Sequence, residues 1–157
     1  MNNDSIDNGS CNKTRLLNRM IGNSSRLTQE LNRRMQQELS LSLAKYEVLV
    51  AIEKAQGGEI TMSNLSRELL VSNANMTGMT TRLQKDGLLK KKSLPADRRI
   101  YKVALTNEGK SRLEKALKKY DLWIKELMAC VDGDEMNFMN GFLDKIDRQT
   151  DYFSETA

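Results

Sequence analysis

The run TMSNLSRELLVSNANMTGMTTRLQKDGLLKKKSLPADRRIYKVAL, residues 61–105, decides the fold. Thr61 stands as an N-cap before Met62, Leu65 and Leu69, apolar residues at the three- and four-residue steps of a helix. Ser72 stands in the same way before Met76, Met79 and Leu83. Only Leu70 to Ser72 separates the two helices, which is helix-turn-helix spacing. Gly87 then supplies the left-handed residue on which helices end. Leu88 to Ser93 and Arg99 to Leu105 read as strands around the turn Leu94-Pro95-Ala96-Asp97-Arg98. In the second strand Tyr101, Val103 and Leu105 alternate against Ile100, Lys102 and Ala104. A β-hairpin directly behind a helix-turn-helix is the plan of a winged helix.

Working outward, Ser42 caps a preceding helix whose core face is Ala44, Val48, Leu49, Ala51 and Ile52, stopped by Gly57-Gly58. Before it, Leu16, Met20, Ile21, Leu27, Leu31, Met35 and Leu39 mark one long amphipathic helix from about Asn12. On the other side Thr106 caps a helix to about Val131 with Leu113, Leu117, Tyr120, Ile124, Leu127 and Met128 along one side. Asp132-Gly133-Asp134 breaks it and starts a last helix carrying Met136, Met139, Phe142, Leu143 and Ile146. The expected fold class is mainly α with a small β-hairpin wing, an α+β chain. Its expected organisation is a flexible polar start, 1–11, followed by a single domain, 12–157. Within that domain 42–105 form the winged-helix lobe, and the long helices of 12–41 and 106–157 bury their stripes against a second copy of the chain.

Composition agrees. A chain of 157 residues holds one domain and leaves no room for a separate catalytic one. With no histidine, the commonest general base and the commonest zinc ligand are missing, so neither a metal site nor a cofactor nor an enzymatic role is expected. Asp132-Gly133-Asp134 does not make a calcium loop, because Met136 occupies the place of the next oxygen ligand. Cys11 and Cys130 lie far apart and form no pairing pattern. No apolar run reaches the roughly 20 residues of a membrane span, and the polar start lacks a signal-peptide plan, so a cytoplasmic location is expected. The net charge of +4 is unevenly placed. Residues 60–105 hold nine basic and three acidic side chains, whereas 106–157 hold eight and eleven. The middle of the chain is therefore suited to face a polyanion.

With Met76, Met79 and Leu83 turned inward, the exposed face of the second helix carries Ser72, Asn73, Asn75, Thr77, Gly78, Thr81 and Arg82. Asparagine pairs with adenine edges in a major groove, a threonine methyl touches a thymine methyl, and Gly78 lets the helix come close to DNA. Lys90, Lys91 and Lys92 approach the hairpin tip on one strand, and Arg98 and Arg99 leave it on the other. Those cations suit phosphates or a minor groove, with Asp97 placed to hold a neighbouring arginine.

Taken in order, Asn75-Met76-Thr77-Gly78, Arg82 to Leu89, Asp97-Arg98-Arg99 and Leu105-Thr106-Asn107-Glu108-Gly109 resemble the core signature of the MarR family of bacterial transcriptional regulators. The resemblance covers roughly residues 12–150. It implies a homodimer with interlocking terminal helices and two winged-helix lobes on a pseudo-palindromic double-stranded DNA site. It also places Arg99 in a flanking minor groove with Asp97 as its support. Many members are repressors released by a phenolic or aromatic carboxylate bound between the dimer helices and the DNA lobe. Here Arg15, Arg19, Met35, Tyr46, Tyr120 and Trp123 are the candidate walls of such an effector pocket. Zinc-sensing relatives use histidines, which this chain lacks. Peroxide-sensing relatives use a cysteine near the start of the first helix with tyrosine partners; Cys11 has that place, but no tyrosine precedes Tyr46. A thiol-based redox regulator acting through Cys11, and a winged-helix module for protein assembly, are the alternative readings.

Overall fold

The computed structural model describes residues 8–94 and 97–156, with side chains over 12–92 and 101–153. The elements run α1 (Asn8–Leu39), α2 (Leu43–Lys54), a 3-10 turn (Gln56–Gly58), β1 (Glu59–Thr61), α3 (Met62–Glu68), α4 (Asn73–Lys85), β2 (Leu89–Leu94), β3 (Asp97–Leu105), α5 (Asn107–Leu127) and α6 (Gly133–Thr156). The chain divides into two compact units, Met1–Lys119 and Tyr120–Ala157, with the division falling inside α5. The first unit is a winged helix-turn-helix.

Each expected cap is made. The side chains of Ser42, Thr61 and Ser72 accept from the backbone N–H three residues on, at Lys45, Asn64 and Asn75. The 3-10 turn ends α2 with Gly57 and Gly58 in the left-handed region, at φ of 73° and 67°. Between α3 and α4 the backbone of Val71 donates to Ser66 and that of Leu69 to Leu65, which closes the end of α3 around Leu70. Leu70 holds φ of 53°, a conformation usually left to glycine, and its side chain is 91% exposed.

The sheet has strand order β1-β3-β2, both pairs antiparallel. Ile60, Val103 and Lys91 are register partners across it, as are Leu89 and Leu105. Directly opposed residues share a face, so Leu89, Leu105, Val103 and Ile60 close onto the core, while Tyr101 and Lys91 continue the same face outward into the wing. The alternation expected for β3 therefore fixes faces but not burial: Tyr101 is exposed. Ala104, on the opposite face, is buried, because β3 is the central strand and Glu59 and Lys90 flank it. The core of the first unit is completed by Met35, Leu49, Ile52, Leu65, Met76 and Leu83, all closed to solvent.

Several expectations change. α1 starts at Asn8, inside the stretch expected to be flexible, since an established helix extends at little cost. Of its apolar stripe only Leu31 and Met35 are buried, and Leu16, Leu17, Ile21 and Leu27 are exposed. Ala44 is exposed, and Leu43 and Tyr46 take its place in the core face of α2. α5 ends at Leu127 rather than Val131. The second unit begins its own helix with a reciprocal cap: Asp132 Oδ1 accepts from the Glu135 N–H at 2.9 Å, and Glu135 Oε2 accepts from the Asp132 N–H at 3.0 Å. Among the described residues no helix is long and apolar enough to cross a membrane.

α5 is locked to the wing at its first turn. Thr106 donates through its backbone to Leu88 at 3.0 Å and through its hydroxyl to Gly87 at 2.7 Å, and that hydroxyl accepts from the Gly109 N–H at 3.0 Å. A Cβ on Gly109 would stand 2.1 Å from the Leu88 carbonyl oxygen. Glycine is required there for close approach.

Candidate nucleic-acid interface

α4 sorts its residues by burial, although Met79, expected to turn inward with Met76 and Leu83, is only half-buried. Met76, Thr80 and Leu83 are buried, and Ser72, Asn73, Asn75, Thr77, Thr81 and Arg82 are exposed, with Gly78 half-buried between them. Thr80 breaks the expectation that only apolar residues turn inward. Its hydroxyl survives burial because it donates within the helix, 3.0 Å from the Met76 carbonyl, so no polar group is left unpaired. Exposed Thr77 and Thr81 make the same bond, to the Asn73 and Thr77 carbonyls, each at 2.8 Å.

Gly78 has no intramolecular reason to be glycine. A Cβ there would meet only the Arg82 guanidinium, at 3.9 Å, and its φ is not in the left-handed region. Glycine inside a helix costs about 1 kcal/mol relative to alanine. Among the described residues nothing offsets that cost, as expected of a surface kept low for a docking partner. The sequence of α4 contains no aspartate or glutamate, so nothing on this face repels a polyanion. Asp86, at its C-cap, is taken by Lys45 at 2.5 Å.

The wing follows α4 at once, with the Leu88 N–H donating to the Leu83 carbonyl at 2.9 Å. Lys91 lies with its ammonium 5.8 Å from the Tyr101 ring centroid, an exposed cation resting on an aromatic face. Lys92 turns instead to Glu59 on β1, and its ammonium holds the Glu59 carboxyl below the usual carboxylate range. Lys90 and Lys91 are the β2 cations that remain directed at solvent. Asp97, Arg98 and Arg99 begin β3 in the backbone, but their side chains lie outside the described residues.

The six candidate effector residues do not share one environment. Met35 and Tyr46 are closed into the core of the first unit, while Arg15 and Arg19 are exposed on α1, Arg15 bonded to Asn12 at 2.9 Å. In the second unit Tyr120 is half-buried and Trp123 buried. A cavity of about 330 Å³ that sequence reading missed lies in the first unit, lined by Ser40, Leu41, Lys45, Asp86, Leu88, Glu108 and Arg112. Its charged residues are spread from Lys45 to Arg112 and follow no motif, so only the fold collects them. Arg112 reaches from α5 to donate to the Leu39 carbonyl at the end of α1. In the second unit a cavity of about 660 Å³ is lined by Cys130, Val131, Asp134, Glu135, Phe138 and Met139. Cys130 is exposed, and the Cys11 side chain lies outside the described residues.

Residues 41–101 match the model of the MarR family. An uncharacterized HTH-type transcriptional regulator of Bacillus subtilis (strain 168), YdgJ, is 28% identical over 99 residues, covering 63% of this chain and 59% of that protein. The chain thus spans about three fifths of that relative's length. The HTH-type transcriptional regulator PrsX of Escherichia coli is 28% identical over 111 residues, 66% of this chain and 67% of PrsX. Among solved structures, a mutant MarR from E. coli complexed with operator DNA superposes with a TM-score of 0.71 at 27% identity, over 86% of this chain and 96% of that one. Sco3205 of Streptomyces coelicolor, a MarR family regulator in complex with DNA, gives 0.82 at 18% identity, over 94% and 92%, a likeness of fold.

Proposed function

This chain carries a MarR-family domain over residues 41–101, and on that premise we propose that it is a transcriptional regulator that binds double-stranded DNA through α4 and the β2–β3 wing. The observation that carries the reading is the face of α4: exposed asparagines and threonines around a glycine that nothing inside the chain requires, without a carboxylate, beside a lysine-bearing hairpin. Hydrogen-bonding side chains specify bases, and the wing cations position the lobe on phosphates.

The working form is a homodimer on a pseudo-palindromic operator. α1 leaves Leu16, Leu17 and Ile21 exposed, and α6 leaves Phe138, Met139, Tyr152 and Phe153 exposed, apolar surface that a second copy would cover. Two copies related by a twofold axis present two recognition helices to half-sites one helical turn apart. The regulator is a repressor that leaves its operator when a small aromatic or phenolic effector binds. Support for that part comes from the family; the cavity beside the α4 C-cap offers room, but its Lys45 is paired with Asp86 and its Arg112 is bonded to the Leu39 carbonyl.

Binding to a duplex from the chain's own upstream region, measured by fluorescence anisotropy over a range of salt, tests the reading. Arg99→Ala is expected to weaken binding to all sequences and to lower the salt slope by about one, whereas Asn75→Ala relaxes preference at one base pair. Affinity indifferent to salt and to both substitutions would remove this surface from consideration. A gel shift against random competitor DNA separates a regulator from a protein-assembly module, since only the former discriminates among sequences.

A further inference from the structure

The hydrogen bonds inside α4 restrict what its exposed face can read. A threonine hydroxyl has one proton to donate. In Thr77 that proton goes to the Asn73 carbonyl and in Thr81 to the Thr77 carbonyl, each at 2.8 Å. The bond also selects one of the two side-chain rotamers open to a helical threonine. Toward a ligand each threonine therefore shows a fixed methyl and an acceptor oxygen, and no donor. Asn73, Thr77 and Thr81 are spaced four residues apart and form one stripe along the helix.

The asparagines are the opposite case. Among the described residues the side-chain amides of Asn73 and Asn75 make no hydrogen bond; only their backbone groups are used, the Asn73 carbonyl by Thr77 and the Asn75 N–H by Ser72. Each amide keeps its donor and acceptor pair, which matches the N6 and N7 edge of adenine. A carboxylate, the natural acceptor for cytosine N4, is absent from α4. Arg82 is the only arginine on the helix, and its guanidinium lies back over Gly78.

Resting on the DNA-binding reading above, we propose that the half-site read by α4 is built of A·T pairs, with Asn73 and Asn75 on adenine edges and the Thr77 methyl on a thymine methyl. Thr77 is then a specificity-determining residue that acts through its methyl alone.

The test uses the full-length protein and a duplex selected from a random-sequence pool. The selected half-sites are expected to be A·T-rich. Exchange of A·T for inosine·cytosine changes the major-groove edge while leaving the minor groove like that of A·T, and is expected to weaken binding at least about fivefold at the positions read by the asparagines. Deoxyuridine in place of one thymidine per half-site removes only the methyl and lowers affinity about threefold or more at the Thr77 position. Thr77→Ser keeps the hydroxyl bond, loses the methyl, and is expected to bind thymidine and deoxyuridine duplexes alike. G·C-rich selected half-sites, or wild-type binding unmoved by either base exchange, would overturn this inference while leaving a sequence-specific regulator standing. Selection that enriches no sequence would overturn both.

Discussion

α4 and α6 are both helices with an exposed face, yet they are finished to different degrees. In 13 residues α4 buries Met76, Thr80 and Leu83 and shows polar groups outward. α6 runs for 24 residues and, among its described side chains, buries none: Phe142 is half-buried and Phe138 is 76% exposed. An amphipathic helix is stable in water when its apolar stripe is covered. The lobe that carries α4 closes its core within one copy of the chain, whereas the apolar stripe of α6 is left uncovered in it.

The comparison breaks first at Leu83, which is closed to solvent beneath α4. Leu83→Ala is expected to destabilise the lobe by about 2–5 kcal/mol, read as a lowered urea midpoint. A much smaller loss would mean that the lobe draws its stability from contacts outside this core. Phe138→Glu should act the other way, with little change in the lobe but dimer affinity reduced by about 2 kcal/mol or more in sedimentation equilibrium. A Phe138→Glu protein that stays as tightly dimeric as the parent would show that α6 is not the covered face. Next comes Gly109→Ala, where the new methyl group meets the Leu88 carbonyl; about 1–3 kcal/mol of stability should be lost in calorimetry, with the dimer constant unmoved. The smallest effect is expected at Gly78, where alanine adds about 1 kcal/mol of stability while weakening operator binding. Gain without loss of binding would mean that no surface approaches the helix there.

Much of this was legible because local rules and tertiary structure agree. Ser42, Thr61 and Ser72 cap as their chemistry prescribes, and the apolar steps of α3 and α4 lead to Leu65, Met76 and Leu83 in the core. Periodicity identified the faces of α1 but not their covering, since a stripe reads alike whether its partner lies in the same chain or another. Thr80 escaped because an internal hydrogen bond can make a hydroxyl as buriable as a methyl group. The engagement of Lys92 by Glu59 and the assembly of Lys45, Asp86, Glu108 and Arg112 around one cavity depend on strand register and helix crossing, which no linear spacing encodes.

The close seat of Gly109 on the Leu88 carbonyl carries a mechanical consequence. With Thr106 gripping both Gly87 and Leu88, the first turn of α5 sits directly on the strand that follows α4. Any rotation of that turn would carry the end of α4 with it, as one gear tooth carries the next.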